Sequence, residues 1–407
     1  MVIIWKSLIL KTKISMKLLL LLIRSSMERQ VKILQINSGS KEFGGVSSIL
    51  FNIFEKIDKK KFTFDFLTPE FTTYNLRRKE IEHMGGKIFE FKITKKKLGK
   101  LISVSKKICD FLNKNHYDIV HINSGSFLFN LFVSLGVRFS KSKPVIVIHS
   151  HNSLEKKVSI KNFIIKILNP LLLFTSDYQV ACSLKAAEAM FPTWYSNKVK
   201  IFYNAVDLNR FDFNKNERIR IRNNLDVSDD TVLIGNIGRL SYQKNQLFLL
   251  KIIKILVQNN KNISLVIIGQ GPEEENLKKF VENNHLENNV HFISETNDVN
   301  SYYSAFDLFV LTSLYEGLPL VGVEAQATGL SLVLSEAITK EVNITGNVTF
   351  LKLSNIQQWV SSIEKIKINH NRLSNKQQLI SSGYMIDDVV NSYEKFYSDI
   401  LKEDKND

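Results

Sequence analysis

Short apolar segments alternate with amphipathic stretches along the chain from Met27 onward. Seven apolar segments in the first half are predicted to be strands: Val31–Asn37, Phe62–Thr68, Lys87–Phe91, Ile119–Ser124, Pro144–Ser150, Tyr178–Ser183 and Val199–Tyr203. Three stretches between them show clear helical spacing of apolar residues: Val46–Ile57, Leu98–Asn115 and Ile160–Phe174. Strands that are apolar throughout and separated by helices predict a parallel sheet with both faces covered, as in a doubly wound Rossmann-like domain.

The same alternation restarts after a polar stretch near Asn204–Asn216. The predicted strands are Val232–Ile237, Ser264–Gly269, Val290–Ser294, Leu308–Ser313 and Leu330–Leu334. The predicted helices are Gln246–Asn259, Glu273–Asn284, Val299–Ala305, Pro319–Thr328, Ile356–Lys365 and Ile386–Lys402. The chain is therefore predicted to be α/β, with two Rossmann-like doubly wound domains in tandem. Ligands of such sheets bind at the carboxyl ends of the strands, so loops of both domains are expected to build one site.

Four segments follow from this pattern. Residues 1–26 form a basic, apolar leader, 27–205 the first domain, 206–380 the second domain, and 381–407 a C-terminal helix that can cross back to the first domain. The leader holds five basic and no acidic residues, and its longest apolar run, Leu18–Ile23, is too short to span a bilayer. It is interpreted either as an amphipathic surface anchor or, preferably, as an over-extended translation ahead of a start at Met27.

The composition of the 407 residues is that of a soluble globular protein, with 44% apolar and 23% charged residues. It excludes a mainly disordered chain, a collagen-like chain and a multi-span membrane protein. The only two cysteines, Cys109 and Cys182, exclude a disulfide scaffold and have no metal-type spacing. A cytoplasmic location is expected, and peripheral attachment to the inner face of the cell membrane stays open.

The charge is divided unevenly between the two halves of the chain. Residues 1–207 hold 34 basic and 15 acidic residues, a net charge of +19, whereas residues 208–407 hold 21 and 25, a net charge of −4. A basic first half fits nucleic acid, an anionic membrane surface, a phosphorylated ligand or simply a solvated lysine surface. Nucleic acid is not expected, because no basic stripe with interleaved aromatic residues or known binding motif is present.

Candidate chemistry in the second half lies directly after predicted strands. Gly238–Arg239 and Lys244 follow the first strand, where an arginine and a lysine can bind the oxygens of a diphosphate. Glu316 and Gly317 follow a later strand, and Glu324 lies on the next helix, where a carboxylate can accept hydrogen bonds from ribose hydroxyls. Gly269–Gln270–Gly271–Pro272 lacks the third glycine of a dinucleotide fingerprint and is equally well explained as a tight turn.

Candidate residues in the first half also follow strands. Gly44 and Gly45 open a helix whose N-terminus can receive a phosphate. His149 and His151–Asn152 end an apolar strand, where a histidine can donate a hydrogen bond to a ligand hydroxyl or phosphate. The end of another predicted strand, His121–Ile122–Asn123–Ser124, is a weaker candidate of the same kind. No further zinc ligands are suggested near the histidine pair.

Taken in order, these motifs resemble the retaining GT-B glycosyltransferases of family 4, which carry two glutamates separated by seven residues. The resemblance extends over about residues 30–400 and is closest to the variants of bacterial capsule and exopolysaccharide clusters. It also rests on Ala181–Cys182–Ser183 and on Asn204–Ala205–Val206–Asp207, where Asn204–Ala205 replaces the family's common Asn-Gly. It implies a GT-B fold, with two Rossmann-like domains facing each other across a cleft.

The resemblance also implies a role for each candidate in the second domain. Arg239 and Lys244 would hold the diphosphate of a nucleotide sugar. Glu324 would bind the ribose hydroxyls, while Glu316 and the backbone amides from Gly317 onward would face the donor sugar.

In the first domain, Gly44 and Gly45 would lie near the diphosphate across the cleft. His151, followed by Asn152, matches the family's histidine near the anomeric centre better than His149, which is the fallback.

The implied reaction moves a sugar, expected from a UDP-sugar, to a lipid-linked saccharide acceptor with retention. No cofactor or metal is expected, because the chain has no Asp-x-Asp pair and Arg239 and Lys244 supply the positive charge. The basic first domain would face an anionic membrane or the lipid's diphosphate. The alternatives are a GT-B nucleotide-sugar epimerase and a non-catalytic protein that binds an anionic ligand.

Overall fold

In a computed structural model, the structure describes residues 29–403 except 39–44, 70–72, 92, 94–96, 152–159, 295 and 317. Gly44, Asn152, Gly317 and the predicted leader lie outside the described residues.

The first domain is built on a seven-stranded parallel sheet in the order β3-β2-β1-β4-β5-β6-β7. Its strands are β1 Val31–Asn37, β2 Phe62–Thr68, β3 Ile88–Glu90, β4 Ile119–Asn123, β5 Val145–Ser150, β6 Tyr178–Ala181 and β7 Lys200–Ile201. Its helices are α1 Gly45–Lys56, α2 Arg78–His83, α3 Lys97–Leu112, α4 Phe127–Arg138, α5 Ile160–Leu168, α6 Pro170–Thr175 and α7 Leu184–Met190. All seven predicted strands are present: β1 and β2 match the predicted ranges to the residue, and the other five are shorter.

The second domain is built on a six-stranded parallel sheet in the order β10-β9-β8-β11-β12-β13. Its strands are β8 Val232–Ile237, β9 Ile263–Ile268, β10 Val290–Ile293, β11 Leu308–Leu311, β12 Ser331–Ser335 and β13 Val348–Leu351. Its helices are α8 Lys215–Asn224, α9 Gln246–Gln258, α10 Glu274–Asn283, α11 Val299–Ala305, α12 Leu320–Ala327, α13 Ile356–Glu364 and α14 Lys376–Ser381; α15, Ile386–Glu403, ends the described chain. The predicted pair of Rossmann-like α/β domains is confirmed.

Two of the differences from the sequence prediction have a clear physical reason. The predicted helix Ile160–Phe174 is two helices, because Pro170 has no N–H to continue the first one and begins the second. Strand β13 was not predicted: it lies at the edge of the sheet, and its partly exposed residues give no continuous apolar pattern.

Each face of the first sheet has its own layer of helices. On one face α3, α4, α5, α6 and α7 pack over a core that includes Val104, Val133 and Leu172. On the other face α1, α2 and α15 pack over a core that includes Phe54, Ile81 and Tyr397. The C-terminal helix therefore belongs to the core of the first domain although it follows the second in sequence. Leu320, the first residue of α12, also packs against this second core.

Within the part of the chain that the structure describes, no helix is both long enough and apolar enough to cross a membrane.

Candidate active site

Two loops at the carboxyl end of the second sheet are tied together by hydrogen bonds. One follows β8 and carries Lys244, and the other follows β11 and carries Glu316. The backbone N–H of Leu314 donates to the carbonyl of Gln243 at 2.8 Å, which fixes the spacing of the two loops. Because β8 and β11 are neighbours in the sheet, motifs 72 residues apart meet at one edge.

Lys244 and Glu316 form a largely buried ion pair. Lys244 Nζ lies 2.8 Å from Glu316 Oε2, and the two side chains are only 19% and 8% exposed. The hydroxyl of Ser313 donates to the other carboxylate oxygen, so both oxygens of Glu316 are hydrogen-bonded. The predicted diphosphate-binding cation and the predicted sugar-facing carboxylate are thus paired with each other.

Arg239 stands exposed on the loop after β8, and a glycine turn packs beneath that loop. A Cβ atom on Gly269 would lie 2.2 Å from the carbonyl oxygen of Gly238, and one on Gly271 would lie 2.2 Å from that of Leu240. Only glycine fits such contacts, so the Gly-x-Gly turn supports the Arg239 loop by close packing.

Glu324 occupies a different environment from Glu316. It lies half-buried on α12, and its carboxylate accepts a hydrogen bond from the hydroxyl of Tyr303 at 2.8 Å. Burial raises the pKa of Glu324 to about 7, against the smaller lowering effects of Tyr303 and the charge of Arg210. At neutral pH this carboxyl group is therefore poised between its neutral and ionised forms.

The two candidate histidines lie side by side at the end of β5, with ring centroids 4.0 Å apart. His149 is 1% exposed, and its Nδ1 lies 3.2 Å from the hydroxyl of Tyr393 on α15. His151 is partly accessible, and its Nε2 lies 3.1 Å from Oδ1 of Asn123 at the end of β4. Of the pair, His151 is the one placed to reach a ligand.

A third histidine joins this cluster from β4. The rings of His121 and His149 are 5.4 Å apart, and His121 Nδ1 lies 2.7 Å from the hydroxyl of Tyr397 on α15. Burial lowers the pKa of His121 and of His151 to about 3 and that of His149 well below its usual range. All three rings are therefore neutral in the folded protein at neutral pH.

Gly45 is the first residue of α1, and a Cβ atom added to it would meet nothing within 4 Å. Sterics within the described structure therefore do not require glycine at this position. Its predicted place near a diphosphate stays a prediction.

Several partners of the candidate residues were not found from the sequence. Ser313 donates a hydrogen bond to Glu316, and Tyr303 donates one to Glu324. Two tyrosines of α15 form hydrogen bonds with the histidines: Tyr393 with His149 and Tyr397 with His121. Tyr393 and Tyr397 lie four residues apart on an amphipathic helix, a spacing that indicates only a buried helical face.

Comparison with known proteins agrees with this architecture. The family described as glycosyl transferases group 1 matches residues 217–383, and glycosyltransferase family 4 matches residues 43–210. EpsF of Bacillus subtilis (strain 168), a protein named as a glycosyltransferase, is 28% identical over 93% of this chain and 99% of its own.

Two further similarities concern proteins with named substrates or ligands. The UDP-Gal:alpha-D-GlcNAc-diphosphoundecaprenol alpha-1,3-galactosyltransferase of Escherichia coli is 27% identical over 50% of this chain and 55% of its own. Anabaena HepE, solved in complex with UDP and glucose, superposes with a TM-score of 0.71 at 18% identity, covering 91% of this chain and 100% of its own. The two family matches follow one another along most of the chain, which has the GT-B fold of the group 1 and family 4 glycosyltransferases.

Proposed function

We propose that this glycosyltransferase is a retaining hexosyltransferase that moves a sugar from a UDP-sugar to a lipid-linked saccharide in capsule, exopolysaccharide or O-antigen synthesis. The observation that carries the proposal is the Lys244–Glu316 unit beside Arg239 at the carboxyl end of the second sheet. HepE, solved with UDP-glucose, and the E. coli enzyme, named for UDP-Gal and a diphosphoundecaprenol-linked sugar, support the choice of substrates.

The donor nucleotide is assigned to the second domain. Arg239 and Lys244 bind the diphosphate, and positive charge at this point stabilises the leaving group as its bond to the sugar breaks. Glu324 accepts hydrogen bonds from the ribose hydroxyls, which favour its ionised form on binding. The proposal assigns the charge of the diphosphate to these two cations and includes no metal ion.

The donor sugar lies between Glu316 and His151, and His149 serves as a buried neighbour of His151. The acceptor attacks on the face from which the diphosphate leaves, and a phosphate oxygen takes the proton of the acceptor hydroxyl. This order of events retains the anomeric configuration and needs no protein nucleophile.

A cavity of about 190 Å³ at the carboxyl end of the first sheet is assigned to the acceptor. It lies between the ends of β1 and β2 and the starts of α3 and α4. Its lining comprises Ser38, Pro69, Lys100, Leu101, Val104, Ser126 and Phe129. The hydroxyl and lysine groups suit a saccharide carrying a phosphate, and the apolar wall suits the face of a sugar ring.

The layer formed by α3 to α7 has the character of a membrane-facing surface. Among the described side chains of first-domain helices, every strongly exposed large apolar residue lies here: Ile102, Leu128, Ile164, Ile167, Leu171, Phe174 and Leu184. Helices α1, α2 and α15 on the opposite face carry none among those residues.

Charge divides in the same way. Helices α3 to α7 contain eight basic and two acidic residues, a net charge of +6, whereas α1, α2 and α15 contain five and eight, a net charge of −3. An exposed apolar surface on helices with a net positive charge fits the interface of an anionic bilayer, in which a lipid-linked acceptor resides.

Transfer and nucleotide binding can be tested with the purified full chain. We expect UDP to raise the melting temperature more than GDP or ADP, and Arg239→Ala to abolish that increase. Incubation with UDP-hexoses and a diphosphoundecaprenol-linked sugar is expected to give an α-linked product from an α-linked donor. An epimerised donor in the absence of acceptor would instead support the epimerase, and the absence of both nucleotide binding and transfer would contradict the proposal.

A further inference from the structure

A continuous chain of hydrogen bonds runs from His151 into the first sheet and reaches the C-terminal helix. His151 Nε2 lies 3.1 Å from Asn123 Oδ1, and Asn123 Nδ2 donates to Gln35 Oε1 at 2.8 Å. Gln35 Nε2 donates to the hydroxyl of Tyr397 at 3.1 Å, and that hydroxyl lies 2.7 Å from His121 Nδ1. All members except His151 are at most 1% exposed, so water does not substitute for these bonds.

One backbone atom decides which groups donate and which accept in this series of hydrogen bonds. Asn123 Nδ2 also lies 3.1 Å from the carbonyl oxygen of His121, which can only accept, so this end of the amide is the NH₂ group. The opposite end is therefore the amide oxygen, and His151 Nε2 must carry a proton and donate to it. The other atom of the ring, Nδ1, then holds a lone pair whenever the ring is neutral.

The remaining bonds are consistent with this direction. The Gln35 oxygen accepts from Asn123, so its NH₂ group faces Tyr397. The buried hydroxyl of Tyr397 then has His121 Nδ1 as its acceptor among the described residues. Burial of the histidine cluster also favours neutral rings, because it lowers the pKa of His151 to about 3.

We propose that Asn123, Gln35 and Tyr397 position His151 in its Nε2–H tautomer, so that Nδ1 accepts a hydrogen bond from a hydroxyl of the donor sugar. Nδ1 is buried and has no hydrogen-bond partner among the described residues. The sequence suggested that a histidine here donates; the network makes it an acceptor. The role toward the sugar rests on the proposed function, whereas the tautomer does not. The three positioning residues do not touch the substrate themselves.

The tautomer can be read directly from the side-chain ¹⁵N shifts of histidine-labelled full-length protein, with His151→Gln used for assignment. We expect the Nε2–H pattern for His151 in the wild type. Asn123→Leu keeps the size of the buried side chain but removes the acceptor of the Nε2 proton, and it is expected to populate the second tautomer and to raise the donor KM by about tenfold. If Asn123→Leu does not fold, Asn123→Ser removes the same acceptor with a smaller side chain.

Tyr178→Phe is the matched control. The hydroxyl of Tyr178 donates to Glu403 of α15 at 2.6 Å but takes no part in the hydrogen bonds that lead to His151. Its loss is therefore expected to leave the tautomer of His151 and the donor KM unchanged. An Nδ1–H pattern in the wild type, or an unchanged tautomer after the chain is broken, would overturn the inference. The expected tautomer together with a failure to bind or transfer any UDP-sugar would overturn the proposed function alone.

Discussion

At the scale of single residues, the two glutamates that look alike in the sequence have different chemistry. Glu316 pairs with an ammonium group and a hydroxyl, so its negative charge is compensated. Glu324 accepts one hydrogen bond, from the hydroxyl of Tyr303, and burial raises its pKa to about 7. Glu316 therefore helps to hold its loop, whereas burial disfavours the ionised form of Glu324.

Glu324→Gln is expected to stabilise the free protein at high pH. The raised pKa means that the folded state binds an extra proton between the unfolded value of 4.5 and about 7, so wild-type stability falls as the pH rises through this range. Glutamine removes that loss. The melting temperature of the variant relative to wild type should therefore increase from pH 5 to pH 8. The exposed control Glu336→Gln should show no such trend, and a difference that does not depend on pH would contradict the assignment.

Lys244→Met is expected to weaken both the fold and nucleotide binding. It leaves the largely buried carboxylate of Glu316 with only Ser313 as partner, a loss of about 1–3 kcal/mol in the free energy of unfolding. Urea unfolding and calorimetric titration with UDP measure the two effects. Lys251→Met, an exposed change on the next helix, is the control. Wild-type affinity for UDP in Lys244→Met would remove this lysine from the diphosphate site.

At the scale of elements, buried strands were predictable and long-range side-chain bonds were not. Val232–Ile237 was predicted to the residue because a central parallel strand is apolar on both faces. Edge strand β13 lacks that pattern. The sequence placed His149 at a strand end, but nothing local connects it with Tyr393, 244 residues away, or connects His121 with Tyr397, 276 residues away. Both contacts depend on how α15 returns to the first domain.

Gly271→Ala tests how the glycine turn supports the Arg239 loop. The added methyl group would lie 2.2 Å from the Leu240 carbonyl oxygen, so the loop must shift. We expect a lower melting temperature and weaker UDP binding. Gly45→Ala, where a Cβ atom meets nothing within 4 Å, is expected to leave the melting temperature of the free protein unchanged or raised. Equal destabilisation by both substitutions would contradict this packing argument.

The attachment of α15 is expected to weaken in acid. The ring of His121 contacts Tyr393 and Tyr397, that of His149 contacts Tyr393, and His151 lies beside His149. Burial lowers the pKa of all three histidines. Below about pH 6.5 the histidines bind protons in the unfolded state but stay neutral in the folded state. The free energy of unfolding therefore decreases as the pH falls from about 6.5 toward 3. Urea unfolding at several pH values should show this slope. His121→Asn should reduce it and exposed His370→Asn should not; equal slopes in all three proteins would contradict the assignment.

At the scale of the whole molecule, charge and apolar exposure follow the division into domains and faces. Residues 1–207, with a net charge of +19, include every strand of the first domain, and within that domain the basic helices are also those with exposed apolar side chains. Residues 208–407, with a net charge of −4, include every strand of the second domain, where Arg239 and Lys244 are local exceptions, and also α15, which packs on the first domain. An anionic surface would therefore attract one domain and leave the other facing the solvent.

Vesicle binding distinguishes this arrangement from a merely solvated lysine surface. We expect the full chain to co-float with phosphatidylglycerol vesicles, less with phosphatidylcholine vesicles, and less in high salt because screening weakens the attraction. Phe174→Ser with Ile167→Ser, at positions 80% and 60% exposed, removes apolar surface without changing charge and should reduce binding. Leu373→Ser, 85% exposed in the second domain, should not. If binding depends on salt but is unchanged by the apolar substitutions, charge alone attracts the first domain. The layer of helices α3 to α7 would then lie outside the bilayer interface.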